Sequence, residues 1–437
     1  MQPAPALDTT LPRAARSHLD YDPFSEQVLA DPYPHYARLR RDSPVHFAPM
    51  SRMYCVSRYE DVVDVLRRPE HFSSDATRTV INGAGPAVDL PSKLRLGAQL
   101  LRVFIHSPRI VKVIAGRNLL SLDAPAHTHM RNIVNRAFTP RGIAAWEPRI
   151  RAITDTLATE LRRKQSFDFV TDFAVPLPVT LIVELLGVEP ERSEEFKRWS
   201  DALIAAIFGP KRKQGFLRSG AVEALGNLSD AMRRTIRARL REPRDDLIST
   251  LVRAQTGEGV LSEPEAVFFA VGLLVAGNET TTRLLGSMVK ALIDHPEQLH
   301  QVRSNRALIP AVVEEVMRWD GPAQLTARRA RRDVEIAGVR IPRNAHVALL
   351  LASGNRDERQ WGPTAEAFDV TRDARRHLGF SLGPHFCLGA GLARLEARVV
   401  LETLLDDLPR LQRTAPAEYL PSFVARGPSR LPLEQRR

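Results

Sequence analysis

The stretch Phe380-Ser381-Leu382-Gly383-Pro384-His385-Phe386-Cys387-Leu388-Gly389 is the part of the chain from which the fold can be argued. It is a loop rich in Gly and Pro, and the residues after it place apolar side chains at helical spacing. Cys387 therefore stands where a loop enters a helix. Free N–H groups and the helix dipole lower the pKa of a thiol at such a position. A thiolate beside glycines that let a flat group approach is what a haem iron needs as an axial ligand.

The spacing within this loop resembles the haem-binding signature of the cytochrome P450 family, Phe-x-x-Gly-x-His-x-Cys-x-Gly. Every fixed position is met, by Phe380, Gly383, His385, Cys387 and Gly389. Ser381 stands where many bacterial members have Gly, which leaves the ligand position unchanged. A lone cysteine is more often a small buried hydrophobe, but the ten-residue spacing argues against that interpretation. The resemblance implies that Cys387 binds the iron and that Phe380, His385 and Gly389 lie at the cofactor.

A long helix is predicted from Ser262 to Lys290, because Ser262 and Glu265 form a capping box ahead of an almost wholly apolar run. Its middle contains Ala276-Gly277-Asn278-Glu279-Thr280-Thr281, and a Gly and a carboxylate are costly in a buried helix. These residues resemble the family's oxygen-activation motif. The resemblance implies that Ala276 and Gly277 let haem and dioxygen approach, that Thr280 contacts dioxygen, and that Glu279 relays protons. The alternative for Thr280 is a hydrogen bond to a carbonyl of its own helix.

A Glu-x-x-Arg pair, Glu315 and Arg318, follows on a shorter predicted helix. On an exposed helix face such a pair contributes only ~0.2–0.5 kcal/mol. Its position between the long helix and the Cys387 loop resembles the family's Glu-x-x-Arg pair, which locks a buried network behind the haem. The resemblance implies that Arg372 is the third member.

Near the start of another helix, His127 and Arg131 are four residues apart and share one face. With His129 nearby, a metal site is one interpretation, but His127 and His129 would point to different sides. The family resemblance implies instead that His127 and Arg131 bind a haem propionate, since Arg suits a carboxylate. It assigns Arg328 and His385 as further propionate contacts. A solvated surface charge remains the alternative for Arg131.

Alignment of the motifs also places the substrate pocket. The residues expected to line it are small or apolar for the most part, namely Gly272, Val275, Ala276, Gln324, Val424 and Ala425. The irregular segment 76–121 either covers this pocket or is a surface insertion, and the basic loop at 211–215 resembles a hinge between lid helices. A sizeable lipophilic substrate is therefore expected: a terpenoid, steroid, fatty acid or polyketide of secondary metabolism.

The composition bounds the class of protein. The 437 residues are 43% hydrophobic and no linker or repeat interrupts them. We expect one domain over 19–437 after a disordered segment 1–18. Only Cys55 and Cys387 are present, in unlike settings, which indicates no disulfide framework and a cytoplasmic location. No apolar run reaches transmembrane length, so no membrane anchor is expected.

The formal net charge of +11 favours an acidic partner. Nucleic acid is not expected, because the basic residues are spread throughout and no aromatic-interleaved basic stripe occurs. The chain shows no flavin or iron–sulfur module. The resemblance therefore implies electrons from a ferredoxin and its reductase, approaching near Arg136 and Arg394.

Together these features predict a mainly α fold with small β-sheets (α+β), acting as a monomer with haem b. The implied activity is insertion of one oxygen atom from dioxygen into the substrate, by hydroxylation or epoxidation. Three alternatives are a non-catalytic haem-binding or gas-sensing protein, a peroxide-dependent haem-thiolate enzyme and a non-oxidative isomerase. Glu279 and Thr280 argue against the last two, because neither needs a proton relay for dioxygen.

Overall fold

The computed structural model describes residues 19–76, 119–136, 138–188, 192–208, 220–244, 246–253, 262–422 and 425–436. Helices dominate these ranges and small sheets flank them, as the sequence predicts. The segment 1–18, most of 76–121, the loop at 211–215 and Val424 lie outside the described residues.

The helices of the described ranges make up most of the fold. In chain order they are α1 (Glu26–Ala30), α2 (Tyr33–Asp42), α3 (Tyr59–Arg67), α4 (Ala126–Asn135), α5 (Pro140–Ala144), α6 (Glu147–Arg162), α7 (Pro176–Leu185), α8 (Ser193–Phe208), α9 (Ala221–Arg241), α10 (Leu247–Arg253), α11 (Glu263–Asp294), α12 (Pro296–Ser304), α13 (Ile309–Trp319), α14 (Leu351–Gly354), α15 (Glu358–Trp361) and α16 (Ala390–Leu404). A π-helix covers Val170–Ala174, and short 3-10 turns cover Arg306–Leu308, Gly383–His385 and Leu408–Arg410.

The strands form four small sheets. They are β1 (Val45–Ala48), β2 (Met53–Val56), β3 (Phe72–Ser73), β4 (Ser166–Asp168), β5 (Thr326–Ala330), β6 (Val334–Ile336), β7 (Val339–Ile341), β8 (His346–Leu349), β9 (Leu411–Arg413), β10 (Glu418–Tyr419), β11 (Pro428–Arg430) and β12 (Pro432–Gln435). The largest sheet has the order β1-β2-β8-β5-β3, in which only the β2–β8 pair is parallel. The others are β4-β12-β9, the hairpin β6-β7 and the C-terminal hairpin β10-β11.

Helix α11 is the longest element, with 32 residues, and it begins where the sequence predicts. Ser262 Oγ accepts from the backbone N–H of Glu265, whose side chain accepts from the backbone N–H of Ser262 at 2.9 Å. This reciprocal cap satisfies two of the free N–H groups at the helix start. The helix passes through the largest core cluster of the described residues and packs against α7, α9, α13 and α16.

Strand β2 shows how the largest sheet separates two smaller core clusters. Met53 and Cys55 join one cluster, whereas Tyr54 and Val56 join the other. Successive side chains of a strand point to opposite faces, so both faces of this sheet are buried. Cys55 is therefore a packing residue, and burial raises the pKa of its thiol.

Candidate functional site

The Cys387 loop is folded tightly on itself. The backbone N–H of Cys387 donates to Phe380 O at 2.9 Å, and that of Phe386 donates to Gly383 O at 3.0 Å. Gly383 has φ +71°, and a Cβ there would lie 3.0 Å from Leu66 O. Only glycine fits this turn without strain.

The thiol of Cys387 is surrounded by protein yet keeps solvent-accessible surface. The thiol therefore has protein close around it but is not covered by packed side chains. No described atom lies within 4 Å of where a Cβ on Gly389 would stand, so the space beside that residue is open. A flat group could lie there against the backbone.

The pKa of Cys387 corrects the expectation from the sequence. Burial raises it, although the N–H groups of Gly389 and Ala390 and the charge of Arg131 act in the opposite direction. The helix start does favour the thiolate, as predicted, but the loss of hydration is the larger effect. A cation bound at Sγ would deprotonate the thiol outright.

Two histidines and two arginines gather beside this loop. The rings of His127 and His385 are 4.1 Å apart between centroids, and His385 Nε2 lies 2.9 Å from Ser74 Oγ. Burial lowers the pKa of His127, helped by the charge of Arg131. Burial, then His127 and Arg328, lowers the pKa of His385 to about 3. Both imidazoles are therefore neutral at physiological pH.

Arg328 on β5 is buried, and burial lowers its pKa to about 10. Its guanidinium donates to Thr326 Oγ1 at 3.3 Å and to Ala327 O at 2.8 Å. Arg131 donates to Asn135 Oδ1 at 2.9 Å. Within the described ranges neither arginine has a carboxylate within ion-pair distance. A buried cation without an anion is costly.

This cluster fits the carboxylates of a haem. His127 Nε2 is buried and, among the described residues, has no hydrogen-bond partner. Asp123, the nearby carboxylate, is already held by Ser73 Oγ, the N–H of Ser74 and Arg331. Two further carboxylates would supply the missing acceptors. The alternative of a three-ligand His/Cys/Asp/Glu metal site finds no support in the described part of the chain, and His129 is exposed.

One face of α11 is open at the middle of an otherwise buried helix. Gly272 and Ala276 are exposed and Thr280 is partly exposed, at a spacing of four residues. Residues four apart share a helix face, so the three form one open strip along α11. Gly277 is turned away from it: a Cβ there would be 3.7 Å from Ile182 Cδ1 of α7. The role predicted for Gly277, letting haem approach, is therefore not supported by its position.

The carboxylate and the hydroxyl of the α11 motif both have partners. Thr280 Oγ1 donates to Ala276 O at 2.6 Å, which is the alternative considered for it. Glu279 is buried, and its Oε1 accepts from Arg283 Nε at 2.8 Å and from Arg283 Nη2. Arg283 also donates to Pro428 O. Arg283 was not predicted to pair with Glu279, although the i, i+4 spacing of the two residues is visible in the sequence.

Glu315 and Arg318 are fully buried and meet through two hydrogen bonds of 2.7 Å. Arg372 Nε lies 3.4 Å from Glu315 Oε1, which also accepts from the N–H of Asp369. Arg318 donates further to carbonyl oxygens of three later residues, Asn355, Ala365 and Ala367. The predicted triad is brought together and has further backbone partners.

Two of the expected pocket residues lie elsewhere. Gln324 is buried and its amide is used by Tyr36 Oη, at 3.4 Å, and by Gly321 O, at 3.1 Å, so it belongs to a polar network beneath α2. Ala425 has no exposed surface at all. Val275, by contrast, is partly exposed beside Ala276. The motif alignment gave chain positions but not side-chain directions.

Arg394 is not a free surface cation. It donates to both oxygens of Glu314, at 2.6 and 2.9 Å, and its guanidinium lies 4.4 Å from the centroid of the Phe380 ring. Arg136 is exposed and forms no ion pair with another described residue. It precedes α5, where Ile143 packs on Gly391 at the start of α16.

Comparison with known proteins decides the family. The family model for cytochrome P450 matches residues 107–408. The chain belongs to the cytochrome P450 family. Cytochrome P450 109 of Bacillus spizizenii is 35% identical over 94% of this chain and 93% of its own length. The 6-deoxyerythronolide B hydroxylase of Saccharopolyspora erythraea is 34% identical over 94% of this chain and 97% of its own length.

Solved structures agree with this P450 assignment. The structure of CYP109Q5 from Chondromyces apiculatus has 38% identity and a TM-score of 0.80, covering 95% of this chain and 98% of that one. CYP109E1 from Bacillus megaterium in complex with testosterone has 29% identity and a TM-score of 0.79, covering 94% and 100%. The predicted fold is confirmed. The chain is a P450 monooxygenase, an oxidoreductase with a haem-iron cofactor. Across the described residues, no helix is long and apolar enough to cross a membrane.

Proposed function

We propose that this P450 binds haem b through Cys387 and inserts one oxygen atom from dioxygen into a lipophilic small molecule. The observation that carries the proposal is that both motif regions stay open: the thiol of Cys387 is accessible, and so is the α11 face of Gly272, Ala276 and Thr280. When bound, the haem would supply the activation of dioxygen and the oxygen transfer.

The chain's own residues would hold the cofactor through its carboxylates and its iron. Arg131 and Arg328 would pair with the haem carboxylates, and His127 and His385 would hydrogen-bond to them. These contacts would stabilise the buried Arg328, whose charge is otherwise uncompensated. Cys387 Sγ would bind the iron, and the packed loop around it would exclude water.

Glu279 and Thr280, both on α11, would relay protons to the site where dioxygen reacts. In this structure Thr280 Oγ1 donates to the carbonyl of Ala276, and a change of rotamer would turn the hydroxyl toward the open face of α11. Glu279 is held by Arg283 close behind it. A carboxylate behind a hydroxyl can return a proton to it after each transfer.

Substrate contact would come from Gly272, Val275 and Ala276, a surface of small and apolar side chains. Relatives are named for large lipophilic molecules. The Vitamin D(3) 25-hydroxylase of Pseudonocardia autotrophica is 34% identical, and cyclomarin C epoxidase of Salinispora arenicola is also 34% identical. These names support hydroxylation or epoxidation as the reaction. The substrate class that we propose is a terpenoid, steroid, fatty acid or polyketide.

The proposal also includes a ferredoxin and its reductase as electron donors, a cytoplasmic location and a monomeric state. The net charge of +11 supports an acidic donor. We further propose that residues 19–437 form one domain.

The test uses haem-loaded protein. A lipophilic library is screened for shifts of the Soret band, and hits are incubated with a surrogate ferredoxin, its reductase and isotopically labelled dioxygen. We expect product with one labelled oxygen atom. Thr280→Ala should bind substrate nearly as well and divert more electrons to peroxide. Product only with added peroxide would replace the proposal by a peroxide-dependent enzyme, and no product with either oxidant would favour a haem-binding sensor.

A further inference from the structure

Arg283 joins the carboxylate of the α11 motif to the C-terminal hairpin. Its side chain is 7% exposed, and its guanidinium donates in two directions. Nε and Nη2 donate to Glu279 Oε1, and Nη1 donates to the carbonyl of Pro428, the first residue of β11. One planar group therefore holds Glu279 and the hairpin together.

The hairpin backbone lies directly against this arginine. A Cβ on Gly427, whose φ is +153°, would stand 2.6 Å from Arg283 Cβ and 3.0 Å from its Cα. One turn further along α11, Gly286 faces Pro428: a Cβ there would make ordinary van der Waals contact with the proline ring, at 3.5 Å. The hairpin thus cannot shift relative to α11 without changing its contact with Arg283.

The other side of the hairpin is anchored as well. Arg426 donates to Leu29 O at 3.2 Å and Ala30 O at 3.1 Å at the end of α1. Its guanidinium lies 4.5 Å from the centroid of the Tyr419 ring. The backbone N–H of Arg426 donates to Pro322 O at 2.9 Å. These contacts fix the backbone of residues 425–430. A shift of one of these residues would therefore move its neighbours in the hairpin as well.

A guanidinium has a rigid, planar set of donors, so it cannot follow two partners that move apart. A buried carboxylate that loses its cation is strongly destabilised. Glu279 must therefore adjust whenever the hairpin moves Arg283.

We propose that Arg283 is a positioning residue that couples the C-terminal hairpin to Glu279, so that the position of the hairpin determines how the proton-relaying carboxylate is held. The inference rests on the proposed role of Glu279. It would make proton delivery depend on the position of the hairpin.

Coupling of this kind is reciprocal, so it can be tested from both ends. Glu279→Gln keeps the volume of the side chain but removes its charge. We expect hydrogen exchange at the amides of Arg426 and Leu431 to rise about five-fold or more, the lower end of typical coupling strengths. From the other end, Gly427→Ala should push the hairpin away from Arg283. It should raise the share of electrons lost to peroxide about two-fold or more, with product falling accordingly.

A matched control exists on α9. Arg239 is also 7% exposed, pairs with Asp246, and donates to Gly187 O at 2.9 Å. Asp246→Asn removes the same kind of charge and should leave both hairpin exchange and peroxide share within about two-fold of the parent protein, as expected for sites without shared partners.

The exchange measurement needs no turnover, so it separates the two proposals. If the parent protein forms no oxygenated product, the proposed function fails, while the exchange result still judges the coupling. Unchanged exchange in Glu279→Gln, together with an unchanged peroxide share in Gly427→Ala, would overturn the inference and leave Arg283 as a purely structural contact. Equal effects from Asp246→Asn would overturn it too.

Discussion

Glu315 and Arg318 are bound to each other by two hydrogen bonds of 2.7 Å, and neither side chain has any exposed surface. Removing one member would leave a buried charge without its partner, which costs ~3–5 kcal/mol. We predict that Glu315→Ala lowers the free energy of unfolding by about that amount and the yield of haem-loaded protein with it.

Denaturant unfolding of the purified chain measures this loss. Asp64→Ala is the control, because it breaks an exposed i, i+4 pair with Arg68 and should cost no more than ~0.5 kcal/mol. Equal stability of Glu315→Ala and the control would contradict the structural role.

Local spacing made part of this network predictable. The i, i+3 relation of Glu315 and Arg318 is visible in the sequence, and their order relative to Cys387 suggested the third member, Arg372. The carbonyl acceptors of Arg318 are not visible there, since they lie 37 to 49 residues further on. Such contacts depend on how the chain returns after β8.

At the candidate site, too, the sequence predicted some features and not others. The motifs brought His127, Arg328, His385 and Cys387 to one place, because each stands at a defined position on its element. Side-chain direction and burial could not be derived in this way. Gln324 points to Tyr36 instead of the pocket, and the Cys387 pKa is raised because burial exceeds the effect of the helix start.

Arg328 provides a second prediction. Its charge is buried, and no carboxylate among the described residues pairs with it. Arg328 should therefore lower the free energy of unfolding of the haem-free protein. We expect Arg328→Met to raise the stability of the haem-free chain by ~1–3 kcal/mol and to lower its affinity for haem.

Haem titration and thermal unfolding of the same preparations check the two effects. Arg331→Met, a partly exposed neighbour paired with Asp123, serves as control. A variant that loses stability without haem and keeps its haem affinity would show that Arg328 has another partner.

Glu396 on α16 predicts a pH dependence. It is 3% exposed, and burial raises its pKa to about 8. Between the ordinary glutamate pKa and 8 the unfolded chain has lost this proton while the folded chain keeps it. Stability from this group is therefore complete at low pH and is lost as pH rises toward 8, by a few kcal/mol in all, roughly 3–5.

Glu396→Gln should remove this dependence. Free energies of unfolding at several pH values between about 5 and 8 are compared with those of the parent chain and of Glu60→Gln, an exposed control. Parallel curves for the parent chain and Glu396→Gln would mean that the carboxyl is charged in the folded protein.

Electron delivery should depend on exposed charge near the start of α16. Arg136 is exposed four residues ahead of α5, which packs on α16, whereas Arg394 is neutralised by Glu314. Charge steering weakens as salt rises. We predict that Arg136→Glu slows reduction by a ferredoxin several-fold at low ionic strength and much less at high ionic strength.

Arg234→Glu changes the net charge equally on α9, which packs on α8 and α11, and should have little effect. Stopped-flow reduction at two ionic strengths compares the variants. If Arg234→Glu slows reduction as much as Arg136→Glu, only the total charge matters and the donor site lies elsewhere.

The central claim is that Cys387 is the thiolate ligand of the haem. The most direct measurement is the absorption spectrum of the reduced, carbon monoxide-bound protein, recorded for the parent chain and for Cys387→His, with Cys55→Ala as control. We expect a thiolate-type Soret band in the parent chain and in Cys55→Ala, and its loss in Cys387→His. A thiolate-type band that survives in Cys387→His would show that Cys387 is not the ligand.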